Sequence, residues 1–134
     1  MSSGERSAWR ELLLLVALML LGCSGPTPEE LASLAAKGYY DHLTRGEYDL
    51  FLEGKTNIEQ MPADYQSQLQ DACRQYMAEQ EVVHRGVREV RISNAVTDTL
   101  QHYTNVFLVL CFGDSTNEEV VVPMVEQEGR WRLK

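Results

Sequence analysis

Ten apolar residues run without interruption from Leu12 to Leu21, with Arg6 and Arg10 before them and Gly22-Cys23 directly after. The run has the length of a secretory h-region and falls short of the roughly 18 residues that a helix needs to cross a bilayer. After it the pattern turns helical. Thr27-Pro28-Glu29-Glu30 reads as a helix start, with Thr27 as cap, Pro28 at the first helical position and Glu30 in capping-box position. Leu31, Leu34, Ala35, Gly38, Tyr39, His42 and Leu43 recur at helical spacing and predict one buried face, and Gly46 supplies a stop. Glu47 to Leu52 predicts a short second helix ended by Gly54, and Lys55 to Gln60 a polar connection. Pro62 opens a third helix that ends near Gly86, with Tyr65, Leu69, Ala72, Cys73, Tyr76 and Val83 along one side.

Past Gly86 the period changes from helix to strand. Val90, Ile92, Asn94 and Val96 alternate with Glu89, Arg91 and Ser93, as expected for a strand covered on one face. Tyr103 to Phe112 is apolar at nearly every position and predicts a central strand, followed by a turn at Gly113-Asp114. Val120 to Val125 and Arg130 to Lys134 form the last two strands around Glu128-Gly129, and the alternation points Trp131 and Leu133 to one face. Pro123 lacks a backbone donor, which predicts an edge or a bulge at that point. Helices first and meandering strands afterwards give an α+β domain, with N-terminal helices packed on a curved antiparallel sheet of about four strands.

The opening segment resembles a bacterial lipoprotein signal peptide with its lipobox, on the residues Leu20-Leu21-Gly22-Cys23. The resemblance implies cleavage before Cys23 and lipid on that cysteine, dividing the chain into a signal at 1–22, a lipidated tether at 23–28 and a domain at 29–134. Leu21 and the acidic residues Glu5 and Glu11 depart from the usual pattern, and an ordinary secretory peptide or a short buried helix is the competing reading. One acyl chain holds a protein only marginally, whereas several on one cysteine anchor it firmly. The implied location is the cell envelope, on the outer membrane facing the periplasm.

Charge narrows the partners. The chain carries a formal net charge of -8, and Arg6, Arg10, Glu5 and Glu11 cancel, so removing the signal leaves that charge in place. Such a surface repels phosphate backbones, and nucleic acid is not an expected partner. With Cys23 given to lipid, Cys73 and Cys111 remain in a compartment where disulfides persist. Cys73 on a helix stripe and Cys111 in an apolar strand are expected to point inward, where they either bridge or sit as two buried free thiols. No metal-ligand spacing, Gly-rich phosphate loop or GxSxG elbow occurs, so neither metal nor cofactor is expected.

The segments Ala35-Ala36-Lys37-Gly38-Tyr39-Tyr40-Asp41-His42-Leu43 and Val122 to Leu133, ending on Gly129-Arg130-Trp131-Arg132-Leu133, resemble the cystatin-like, nuclear-transport-factor-2-like cone. The likeness extends to its small lipoprotein members in Bacteroidetes-type bacteria and covers Glu29 to Lys134. It implies a helix-covered cone with a Trp beside the helices, a fold that hosts isomerases, dehydratases and many non-catalytic modules. Enzymes of that fold pair an Asp base with a Tyr or protonated Asp in an apolar pocket. Tyr39, Tyr40, Tyr65, Tyr76 and Tyr103, with Asp49, Asp64 and Asp98, are the candidates here, yet no spacing puts an acid beside a base. His42, His84 and His102 are scattered over separate elements. The leading reading is therefore a non-catalytic, membrane-anchored lipoprotein that binds a small apolar ligand or an envelope protein, and the alternative is a small isomerase- or dehydratase-like enzyme. A pocket with or without a converging Tyr and Asp separates the two.

Overall fold

A computed structural model describes residues 25–134, and the segment expected to be a signal, together with Cys23, lies outside them. Helix α1 spans Pro28–Thr44, α2 Tyr48–Glu53 and α3 Ala63–His84, with a 3-10 turn at Ile58–Gln60 between the last two. Four strands follow, β1 Val87–Asp98, β2 Tyr103–Phe112, β3 Asn117–Gln127 and β4 Arg130–Leu133, in one antiparallel sheet whose spatial order is the chain order. The predicted cap forms: the Glu30 N–H donates to Thr27 Oγ1 at 3.2 Å. Gly46, at φ +78°, lets the chain leave α1.

Alternation in β2 sorts the two faces of the sheet. Thr104, Val106, Leu108, Leu110 and Phe112 are buried and look toward the helices, with Val90, Val122 and Met124 beside them. Ala32 and Ala36, both 0% exposed, bring α1 down onto this face, because small side chains allow close approach. Leu31 and Leu34 were expected on the buried stripe and instead lie outward, 41% and 62% exposed. Several apolar phases compete in this Ala-rich helix, and the sheet takes the small residues rather than the leucines.

Two further expectations change. A bulge between Ile92 and Asn94 shifts the alternation of β1 by one residue, so Ala95 and Thr97 turn inward while Val96 is half exposed. Pro123 is neither at an edge nor in a bulge: it pairs in register with Asn105 in a strand flanked on both sides. Its carbonyl accepts from the Lys134 N–H at 2.9 Å, so its missing donor points to the β4 side where that short strand runs out. The 55–60 connection is more ordered than its polarity predicts. Thr56 N–H donates to the Leu133 carbonyl and Leu133 N–H to the Gly54 carbonyl, which covers the β4 edge, and Ile58 is buried.

Trp131 lies on the inner face, half-buried and packed against the core beside α1. The Tyr39 hydroxyl donates to the Trp131 carbonyl at 2.9 Å, and Gly54 leaves room for the Tyr39 ring, which a Cβ there would strike.

Candidate functional site

Helix α3 carries Leu69, Ala72, Cys73 and Tyr76 at i, i+3, i+4 and i+7, the spacing of a core-facing stripe, yet none of its residues is buried. The helix is pinned at its ends and stands off the sheet in between. At its N-terminal end, Gln66 Nε2 donates to the carbonyls of Ile58 and Met61, both at 2.9 Å. At the other end the His84 ring stacks on Phe112 with centroids 4.2 Å apart, and the Asp114 N–H donates to the His84 carbonyl. Gly113 is required there, because a Cβ would run into the Arg85 carbonyl.

Along the middle of α3 lies an open cavity of about 450 Å³, a groove within the usual size range for small-molecule sites. Tyr40 and Leu43 of α1, Phe51 and Leu52 of α2, Val120 of β3 and the α3 stripe line it, with Lys55 at the link after α2. Tyr40 and Phe51 meet edge to face at 5.5 Å between centroids, which fixes that wall. Among the described residues, no Asp or Glu belongs to the lining.

Burial sets the electrostatics. It pushes the Tyr40 hydroxyl above its ordinary range, with Tyr76 and Cys73 adding to the effect. Tyr76 rises for the same reason, helped by Glu118, and burial alone raises the Cys73 thiol. Two neutral phenols and one neutral thiol therefore face an apolar space near a single Lys. These groups can orient a ligand by hydrogen bonds. An activated nucleophile or a carboxylate base is a different arrangement.

The structure distributes the other candidates elsewhere. Tyr65 is 46% exposed on α3, and Tyr103 lies on the outer face with Lys134 Nζ 4.1 Å from its ring centroid. Asp98 caps the β1–β2 turn, Asp64 receives the Tyr65 N–H, and Asp49 lies in a polar groove with Arg130. Of the two outcomes left open for Cys73 and Cys111, the free thiols are the one found, and Cys111 does not point inward as expected. Both cysteines are free: Cys73 faces the cavity, whereas Cys111 falls on the odd positions of β2 that look away from the helices, so the sheet stands between them.

Two groups escaped sequence reasoning. Lys55 lies in a stretch whose composition predicts a polar link, and nothing in its neighbourhood marks it as part of a cavity. His84 Nδ1 lies 2.9 Å from Asp114 Oδ2, while the Thr116 hydroxyl donates to the other carboxylate oxygen. Asp114 is held at about 2, down from 3.8, first by the Thr116 hydroxyl, then by His84 and the Thr116 N–H. This cluster ties the end of α3 to the β2–β3 turn.

No protein-family model matches the chain, and no curated protein matches it. Among solved structures it is similar to a Campylobacter jejuni protein described as an NTF2-like transpeptidase, at 13% identity and a TM-score of 0.59, over 73% of this chain and 92% of that one. At that identity the likeness concerns the fold, an NTF2-like α+β cone of helices on a curved antiparallel sheet.

Proposed function

We propose that the chain is an envelope lipoprotein, held to the outer membrane by lipid on Cys23, whose cone binds a small apolar ligand beneath α3. The observation that carries the reading is α3 itself, an amphipathic helix whose apolar stripe faces a cavity rather than a packed core. An apolar molecule placed there gives Leu69, Ala72 and Tyr76 the burial they otherwise lack, and the gain scales with the area removed from water. Lys55 and the tyrosine hydroxyls offer hydrogen bonds to one polar or acidic end.

The enzyme alternative draws no support from the cavity, because its lining carries tyrosines without a carboxylate partner. Acyl transfer of the kind named for the structural neighbour needs an activated nucleophile, and the Cys73 thiol is raised rather than lowered.

Titration of the purified chain with a fluorescent fatty acid tests the reading. Saturable binding near one site per chain is expected, lost in Cys73→Trp, which fills the cavity from α3. Weaker binding of the acid in Lys55→Met, with a neutral apolar probe unaffected, would identify Lys55 as the partner of an acidic end. Probe binding that survives Cys73→Trp unchanged would place the ligand outside this cavity and contradict the reading.

A further inference from the structure

One end of the domain collects exposed apolar side chains that neither the core nor the cavity uses. The described chain begins there, at Gly25, two residues past Cys23, and α1 starts at Pro28. Five residues of extended chain reach at most roughly 18 Å, so a lipid on Cys23 would keep the first turn of α1 close to the membrane. Thr97 Oγ1 donates to Glu29 Oε1 at 2.6 Å, which fastens the end of β1 beside that first turn. The β1–β2 turn that follows displays Leu100, 90% exposed. Its shape is fixed, because Asp98 Oδ1 accepts from the backbone N–H groups of Leu100 and Gln101, each at 3.0 Å. Leu31 lies outward on the opening turn of α1, while Leu34, further along the helix, flanks Ile92, Asn94 and Ala95 of β1.

We propose that this end seats on the phospholipid surface that holds the anchor, with Leu100 entering the boundary between headgroups and acyl chains and Leu31 beside it. The inference rests on the lipoprotein reading above and adds an orientation to it. A lipid tether alone leaves a domain free to tumble. Apolar side chains on a fixed turn and an adjoining helix bury themselves about 5–10 Å deep at such a boundary. Charge selects the kind of lipid: Glu29 and Glu30 lie at this end and the whole chain carries -8, so anionic headgroups are repelled and the fitting partner is a zwitterionic phospholipid surface. The C-terminal end of α3 and the β2–β3 turn, at the opposite end of the sheet, then face away from the membrane.

The test uses the full-length chain produced in a bacterium, extracted in detergent and returned to phosphatidylcholine vesicles, with the mass of its N-terminal peptide determined. Trp131 is the only tryptophan after Cys23, so an added one is read against a constant background. Leu100→Trp and, as control, Val82→Trp, at a position 85% exposed near the far end of α3, are compared in vesicles with and without brominated acyl chains. The added emission of Leu100→Trp is expected to fall by at least half in brominated vesicles and that of Val82→Trp to stay unchanged. Lipid on Cys23 with equal quenching at the two positions, or none at either, overturns the seating while the anchor stands. An N-terminal peptide without lipid overturns the anchor and this inference together. Should Leu100→Trp fail to fold, Leu31→Trp reports on the same end.

Discussion

Asp114 and His84 stand 30 residues apart in the chain and meet in the fold. The carboxyl, held at about 2 against an ordinary 3.8, favours the folded state only while it is ionised. A lowered folded-state value contributes stability that is complete above the unfolded value and is lost as pH falls toward the folded one. Asp114→Asn should therefore lower Tm at neutral pH, with the gap to the parent closing between pH 3.8 and about 2; a gap that does not change with pH would show that the ionised carboxylate is not what holds this corner. Nothing local in the sequence signals the contact. Trp131, by contrast, was legible from its alternation with Arg130 and Arg132, and it packs against the core as that alternation predicts. Trp131→Ala should cost about 2–4 kcal/mol in denaturant unfolding, reaching below the usual range for truncating a buried Trp, because the ring is not fully buried. A cost under about 0.5 kcal/mol would mean that the ring does not support the core.

Element by element, the sequence disclosed type better than phase. All three helices and four strands follow from periodicity, caps and turns, whereas the facing of α1 and β1 was misjudged for identifiable reasons. In α1 two alanines compete with two leucines for the sheet, and tertiary packing decides. In β1 an extra residue at the bulge shifts the register, and no Gly or Pro marks the spot. Helix α3 is the informative case: the middle of its stripe, Leu69 to Tyr76, turns to the cavity, whereas Tyr65 and Val83, expected on the same side, are 46% and 66% exposed, and a stripe in a sequence does not say whether it meets a core or a cavity. Pinned at its ends and only partly covered between them, where Arg74 lies over the Tyr48 ring, α3 should exchange its mid-helix amides faster than β2 and β3 do, and an apolar ligand should slow that exchange. Protection of α3 equal to that of the central strands without ligand would contradict the open cavity. Gly113→Ala should loosen the C-terminal pin and destabilise the domain by at least about 1 kcal/mol, read from its unfolding midpoint.

At the scale of the whole molecule, the cone was readable from element order together with a likeness in two short segments, and the similar solved structure agrees on the fold. The cavity was not readable, since its lining comes from α1, α2, α3, β3 and a link, brought together only by folding. The proposed anchor rests on the sequence alone: Cys23→Ser should release the chain from membranes at high salt, and full retention would refute lipid at that position.

The central claim concerns what fills the space under α3, and the two free cysteines supply a measurement with its own control. Cys73 lines the cavity and Cys111 lies on the opposite face of the sheet. Alkylation of the native protein, followed at each cysteine by peptide mass with and without saturating fatty acid, tests the claim most directly. The account predicts that the ligand slows modification of Cys73 several-fold and leaves Cys111 unchanged. Equal rates at Cys73 with and without bound ligand would contradict it.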